Sequence, residues 1–373
     1  MDLELTTDQE LLRTTTAKFI GTCPLSAVRE LIDSDTGMPS GYLREAAELG
    51  WFAMLVPEEH GGGSISGQGL CDLALIAEER GRGLQPGPFA SMNVVATALA
   101  TAEPGDLRAT VLPAIAAGGV IATWVTPNTT DEWGQNAAIT VTKINDRFTL
   151  SGHASPVHEG QSADWLLVTG WGSEGLSQFL VASTTPGITV SPLKGHDVTQ
   201  RFASVTFVDV EVPMTSLVGK LGEAQDDVEW QLQLALVLTT SETIGALDAL
   251  FEMTRQYSLD RTAFGRPIGS FQAIKHQFAD MSLSLEAGKA IAVAAARASQ
   301  MRQNDAGEIA SMAKSWVSDT GIDIAQGCFQ VFGGIGYTWE HDLHLYLRRI
   351  TMNSLLFGNS DWHRERICRA HDL

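Results

Sequence analysis

Phe148-Thr149-Leu150, Trp165-Leu166-Leu167-Val168, Phe179-Leu180-Val181 and Val205-Thr206-Phe207-Val208 are short runs of β-branched, aromatic and aliphatic residues, and they read as strands. Ala138-Ile139-Thr140-Val141-Thr142 belongs with them. Turn formers separate the runs at Asn145-Asp146, Ser151-Gly152 and Pro186-Gly187, so the block from Val120 to Gly219 is expected to fold as an antiparallel β domain of roughly one hundred residues. On the N-terminal side, from Thr7 to about Ala117, apolar residues recur at helical spacing, as in Leu43, Ala46, Ala47 and in Leu73, Leu75, Ile76. Helical spacing returns after Gly219 in stretches such as Leu232 to Leu259 and Phe271 to Arg302. The expected fold class is α+β, mostly α: an N-terminal helical domain over 1–117, a middle antiparallel β domain over 118–220 and a C-terminal helical bundle over 221–373. That order is neither a doubly wound sheet nor a barrel. No GxGxxG follows a strand and no GxxxxGK[ST] is present, so Rossmann and P-loop nucleotide sites have no support.

The chain has 373 residues and a formal net charge of -19, with a pI near 4.8. A polyanionic phosphate backbone would be repelled by that field, which argues against nucleic acid as a partner. Smaller anions can still bind where local arginines and backbone N–H groups overcome it. Cys23, Cys71, Cys328 and Cys368 are far apart and show no metal-ligand spacing, so packed, reduced thiols are expected. Met1-Asp2-Leu3-Glu4 lacks the basic start of a secretory signal, and no uninterrupted apolar run reaches about 18 residues. A soluble, cytoplasmic protein without a membrane partner is expected.

Two motifs carry more. Gly333-Gly334-Ile335-Gly336 reads on spacing as a helix C-cap and turn. Arg261-Thr262-Ala263-Phe264-Gly265-Arg266-Pro267-Ile268-Gly269-Ser270-Phe271-Gln272, with Lys275-His276 and Ala279-Asp280-Met281 after it, resembles a signature of the acyl-CoA dehydrogenase family. Gln330-Val331-Phe332-Gly333-Gly334-Ile335-Gly336-Tyr337 followed by Glu340 resembles another. Leu49-Gly50-Trp51, Asp209-Val210-Glu211-Val212-Pro213 and Gly245-Ala246 are weaker matches, and the resemblance spans about residues 5 to 370. It implies FAD as cofactor, an acyl-CoA substrate, an electron-transfer flavoprotein as acceptor, and a flavin site shared between two subunits. Arg261 would pair with the FAD diphosphate, a task suited to its fork of donors. Phe264, Phe271 and Gln272 would line the cofactor, Gln330 would bond its adenosine side, and Gly333 and Gly334 would let the backbone approach closely.

The family reaction removes a proton from the carbon next to a thioester while hydride passes to the flavin, and the base is a glutamate held at one of two places. Both are apolar here. The C-terminal place falls on Phe357 in Leu356-Phe357-Gly358-Asn359, with Arg364 and Arg369 keeping the register, and the helical place falls on Ala235. The family's Trp-Ile-Thr segment against the flavin ring is replaced by Pro156-Val157-His158, and proline offers neither an aromatic face nor an N–H. Val125-Thr126-Pro127-Asn128-Thr129-Thr130-Asp131 likewise lacks the family's pattern. No catalytic residue is therefore assigned. His158, in His158-Glu159-Gly160-Gln161, is expected in a solvated polar loop.

Groups that would touch the flavin ring are lost, while groups that would grip a partner's FAD tail are kept. The resemblance is to the non-catalytic β-type subunit of heteromeric bacterial steroid side-chain dehydrogenases, the 3-oxocholest-4-en-26-oyl-CoA dehydrogenase type. It implies a homologous catalytic partner in an α2β2 assembly. Two alternatives stay open at this point: a self-sufficient homotetramer using a displaced base such as Glu242, Asp361 or His158, and a non-enzymatic acyl-CoA-binding scaffold.

Overall fold

A computed structural model describes residues 4–34, 36–102, 105–126 and 139–372. The element order is helical, then β, then helical, as the sequence reads. α1 (Thr7–Ile20), α2 (Leu25–Glu30), α3 (Tyr42–Glu48), α4 (Gly69–Arg82), α5 (Phe89–Thr101) and α6 (Asp106–Ala116) come first. α1 begins at a capping box: Thr6 Oγ1 accepts from the Gln9 N–H while the Gln9 side chain accepts from the Thr6 N–H, each at 3.2 Å. α4 turns Leu70, Leu73, Ile76 and Ala77 inward, which is one helical stripe.

β1 (Ala122–Val125), β2 (Ile139–Ile144), β3 (Arg147–His158), β4 (Trp165–Gly172), β5 (Gly175–Ala182), β6 (Ile188–Leu193), β7 (Phe202–Pro213) and β8 (Leu217–Val218) form one sheet. Its order is β6-β7-β3-β2-β4-β5-β8, with β1 beside β4. Most ladders are antiparallel, but β1 and β2 both run parallel to β4, so the sheet is mixed where the sequence suggests a purely antiparallel one. The long connection between β1 and β2, and the crossover of β3 back toward β7, permit those parallel neighbours without tight hairpins. Along β1, β4 and β5 both faces are covered, while β2, β6 and β7 leave one face open to solvent. On β4 and β5, Leu167, Leu176 and Leu180 pack on the helices, while Leu166, Val168, Phe179 and Val181 face the sheet's own core. Residues 127–131 of the Val125 to Asp131 loop lie outside the described residues.

α7 (Gln225–Asp260), α8 (Gln272–Gln300), α9 (Ala306–Phe332), α10 (Leu343–Leu355) and α11 (Ser360–Ala370) follow. α7 has 36 residues and is apolar on most sides. It is long and apolar enough to cross a membrane, yet 78% of its most apolar window is buried within the protein, so it reads as the core helix of the fold. α4 crosses it at backbone contact. A Cβ on Gly81 would stand 1.9 Å from the Glu242 carbonyl oxygen, and one on Gly245 would stand 1.8 Å from the Glu78 carbonyl oxygen. Only glycine at both positions lets the two helices meet there.

α9 carries a charge into this interior. Lys314 is 2% exposed, donates to the Asn353 carbonyl, and has no carboxylate partner among the described residues. Burial pushes its pKa down from 10.5 to about 7. From pH 7 to pH 10.5 the unfolded chain thus holds a proton that the folded chain has released, and stability rises with pH across that window. Lys314→Met is expected to flatten this rise and to stabilise the protein by about 1 to 4 kcal/mol at neutral pH. Urea unfolding of both proteins at pH 7 and pH 10 checks it.

Candidate functional site

The two places where the family resemblance would put a glutamate are both closed. Ala235 is fully buried among the core residues of α7. Phe357 sits in the turn between α10 and α11 and stacks on Trp124 of β1, ring centroids 6.1 Å apart and planes 21° from parallel. Its carbonyl takes a hydrogen bond from His363 Nε2 at 3.1 Å.

Around this turn lies a buried ionic hub. Arg349 of α10 has no exposed surface, and its Nε donates to Asp197 Oδ2 at 2.5 Å while Nη1 donates to Glu242 Oε1 at 2.8 Å. Nη2 donates to Thr199 Oγ1 at 2.7 Å, and that hydroxyl donates in turn to Asp197 Oδ1 at 2.6 Å. The second Glu242 oxygen accepts from Asn353 Nδ2 at 3.2 Å. Burial works against the Arg349 charge, but Asp197 and Glu242 outweigh it and hold the guanidinium above the usual arginine pKa. A second buried arginine stands nearby. Arg80 donates to Tyr42 Oη at 3.0 Å and to the carbonyls of Pro86 and Gly87, with the Trp51 and Phe89 rings 5.3 and 5.0 Å from its carbon.

What remains of the site is a crevice of about 20 Å³ lined by Arg80, Phe89, His158, Leu238, Glu242, Asn353 and Phe357 among others. That is room for about one water molecule, not for a flavin ring or an acyl group. His158 differs from its expected solvated place. It is the last residue of β3, pairs with Phe202 across the β3–β7 ladder, and stacks on that ring at 5.1 Å. Burial, then Arg349 and Arg80, push its pKa down to about 3, so the ring is neutral near pH 7. Glu242 does point inward, but both its oxygens are committed to Arg349 and Asn353. Asp361 lies on the exposed surface of α11, paired with Arg364 at 2.8 Å. Neither His158 nor Glu242 has a space in which a substrate could reach it, and Asp361 stands on the open surface and is not among the residues that line the crevice.

The cofactor-tail candidates behave in the opposite way: they lie together and open. Arg261 caps α7, and its carbonyl accepts from the Ile268 N–H at 2.8 Å, which starts a small ribbon. β9 (Thr262–Ala263) and β10 (Arg266–Pro267) pair antiparallel around a two-residue turn, Phe264 at φ 51° and Gly265 at φ 80°. Positive φ at both central residues is the turn type that matches strand twist, and it costs most at a residue such as phenylalanine. Phe264 at the tip is 96% exposed, with its ring edge-on to Phe271 at 6.3 Å. The Arg266 guanidinium sits 4.1 Å over the Phe271 ring. The Arg261 side chain is exposed and has no ion pair among the described residues. Gln272 opens α8, whose first turn holds no acidic residue. Its free N–H groups leave a positive end beside the ribbon.

Gln330 is exposed on the last turn of α9, which ends at Phe332. Gly333 then takes φ 64° and ψ -146°, a conformation glycine alone adopts readily, so the expected helix-ending turn is present. A Cβ on Gly333 or Gly334 would meet nothing within 4 Å. The glycines therefore leave open approach to the backbone. Phe332 stacks on Tyr257 at 4.2 Å, and Gln277 Nε2 bonds the Gly327 carbonyl at 3.1 Å. These contacts hold the ends of α7 and α9 and the start of α8 at one end of the bundle. Behind the glycine turn is a cleft of about 410 Å³ lined by Phe329, Tyr337, Trp339, His344 and Arg348 among others.

The hub itself escapes a reading of the sequence, although one signal is there. Arg349 falls on the stripe set by Leu345, Tyr346 and Ile350, where an apolar residue would be expected.

Comparison with known proteins places these features. Residues 226–371 match the family domain described as acyl-CoA dehydrogenase, C-terminal domain, and residues 6–119 match acyl-CoA dehydrogenase, N-terminal domain. Acyl-CoA dehydrogenase IpdE2 of Mycolicibacterium smegmatis is 29% identical over 353 residues, covering 94% of each chain. The structure of a variant of the Tcur3481-Tcur3483 steroid ACAD aligns with a TM-score of 0.86 at 25% identity, covering 98% of this chain and 97% of that one. The ChsE4-ChsE5 complex from Mycobacterium tuberculosis aligns with a TM-score of 0.90 at 23% identity, covering 100% and 99%, and shows the fold.

Arg349→Met is expected to cost about 3 to 5 kcal/mol, because it leaves two buried carboxylates without their cation. Asp197→Asn, which leaves Glu242 on the arginine, is expected to cost less. Urea denaturation of the two variants gives the comparison.

Proposed function

We propose, proceeding from the fact that this chain belongs to the acyl-CoA dehydrogenase family, that it is the non-catalytic β-type subunit of a heteromeric, FAD-dependent member of it. The observation that carries this reading is the asymmetry between the two half-sites. On its own side the chain offers a crevice of about 20 Å³ closed by Phe357 and the Arg349 hub, which does not fit a flavin ring. Toward a partner it offers Arg261, Gln272, Gln330 and a glycine turn, exposed and open, which fit the diphosphate and adenosine end of FAD. When bound in the partner, the flavin supplies the hydride acceptor.

In that assembly Arg261 neutralises the cofactor's diphosphate, with the N-terminus of α8 beside it. Gln330 offers an amide to the adenosine end, and the absence of side chains at Gly333 and Gly334 allows close contact. Phe264 and Phe271 cover the cofactor from the ribbon. The partner, a homologous subunit in an α2β2 arrangement, supplies the glutamate and the substrate pocket for α,β-desaturation of an acyl-CoA thioester. An electron-transfer flavoprotein would be the acceptor that reoxidises the bound cofactor. The substrate class we assign is a steroid side-chain thioester, supported by likeness to a structure described as a steroid ACAD.

Co-purification with the homologous partner is expected to give yellow, active protein with about one FAD for every two chains. Active, flavin-replete protein from this chain alone would sink the reading. Within the complex, Arg261→Ala is expected to lower FAD retention, measured by flavin absorbance after gel filtration, by about tenfold or more. Phe357→Glu in this chain is expected to leave turnover unchanged, since a carboxylate placed there has no flavin or thioester to act on.

A further inference from the structure

The ribbon after α7 carries a second arginine. Ala263 pairs with Arg266 and Thr262 with Pro267, and the Ile268 N–H donates to the Arg261 carbonyl at 2.8 Å, which extends the ladder by one step. Side chains alternate between the faces of a ribbon, and directly paired residues share a face. Arg266 therefore shares a face with Ala263. Arg261, two residues before Ala263 in extended backbone (φ -74°, ψ 117°), stands on that face too. Diagonal neighbours of this kind have their backbones about 7 to 8 Å apart, so the two long side chains can converge on one ligand.

Two like charges this close repel unless an anion lies against them. Neither arginine has an ion pair among the described residues. Asp260, the carboxylate next to Arg261 in sequence, is engaged elsewhere: each of its oxygens accepts from Gln256 Nε2 at 3.1 Å. The Arg266 guanidinium sits 4.1 Å over the ring of Phe271, which is the N-cap of α8. The positive end of a 29-residue helix with no acidic residue in its first turn is thus added to the pair. Residues 261–279 hold Arg261, Arg266 and Lys275 and neither Asp nor Glu, in a chain that has 44 of those two residue types and a net charge of -19. A local excess of positive charge in so acidic a protein fits a small dianion.

We propose that Arg266 is the second cation of the cofactor-tail site, taking one phosphate of the partner-held FAD's diphosphate while Arg261 takes the other. A diphosphate diester carries one negative charge on each phosphate, so two arginines on one face match it charge for charge. The Phe271 ring holds the guanidinium in place before the cofactor arrives, which lowers the ordering cost of binding. The assignment rests on the half-site role and adds to it a residue that sets how tightly the cofactor is held.

The complex with the homologous partner, stripped of flavin, is titrated with FAD by fluorescence at low and high salt. Arg266→Gln is expected to raise the Kd for FAD about tenfold at low salt and to weaken its salt dependence, and Arg266→Lys, which keeps the charge, to restore most of the affinity. An unchanged Kd in Arg266→Gln, alongside a loss in Arg261→Ala, overturns the assignment and leaves the half-site role standing. FAD binding that neither variant weakens sinks both. Equal losses in Arg266→Gln and Arg266→Lys, or an Arg266→Gln chain that no longer assembles with the partner by light scattering, mark a packing or interface residue and also overturn the assignment. A crystal structure of the unaltered complex gives a reading that needs no variant. The Arg266 guanidinium within hydrogen-bonding distance of a diphosphate oxygen supports the assignment; the same group on a carboxylate of the partner overturns it.

Discussion

Arg349 carries a full positive charge to a place that water does not reach. Burying a charge costs several kcal/mol, and the cost is met only where geometry and hydrogen bonding are nearly complete. Here Asp197 comes from the β6–β7 loop, Glu242 from α7, and the carbonyls of Leu84 and Gln85 from the turn after α4. One side chain therefore reads the position of all three parts of the chain. If the sheet shifts relative to the helices, Asp197 leaves its partner. If α4 shifts along α7, the backbone contact at Gly81 and Gly245 fails and Glu242 moves with it. The hub ties the β layer to the helical layers through directional bonds, which apolar packing alone does not supply.

The same hub fills the space beside Phe357. A dehydrogenase site must hold a carboxylate, a thioester carbon and a flavin ring in one dry cavity. Here Arg349 and Asn353 are bonded to Glu242, and Phe357 stacks on Trp124, so the space left among them is a crevice of about 20 Å³. At the far end of the bundle the situation is reversed. Phe264, Tyr337 and Trp339 remain 96%, 76% and 53% exposed, and Arg261 has no counter-charge among the described residues. Large exposed aromatic side chains grouped with an uncompensated arginine mark a surface that gains from being covered. Closure on one side and exposure on the other are the two observations on which the proposed half-site role rests.

How much of this is legible in the sequence follows from the range over which each feature is encoded. The helical, β, helical order is written in local periodicity and appears in the structure as read. The helix-ending turn at Gly333 is written in glycine chemistry over a few residues and appears where expected, whereas the ribbon after Arg261 is seen only in the structure. The parallel pairings of β1 and β2 with β4 are not legible, because pairing partners are chosen by the fold and not by either strand. His158 departs from its expected loop for the same reason: only the β3–β7 ladder, with its register shifts before Val157, sets it opposite Phe202 and beside Arg349. The hub joins residues 152 positions apart, Arg349 and Asp197, and nothing local announces such a pair.

The turn at Phe357 shows how the closed site is held. Phe357 has φ 59° and Gly358 φ 100°, so a bulky residue stands in the left-handed region, where steric crowding costs about 1 kcal/mol or more. A chain free to choose would relax by placing glycine there or by extending the turn. It is prevented from three sides. His363 holds the Phe357 carbonyl, Trp124 holds its ring, and Trp362 and His363 fill the space that a side chain on Gly358 would need. Strained backbone that is overdetermined in this way is the geometry expected of a turn that presents a side chain to a site. What it presents here is a ring that seals the crevice, so the backbone of a presenting turn is kept while the group it carries has become part of the core.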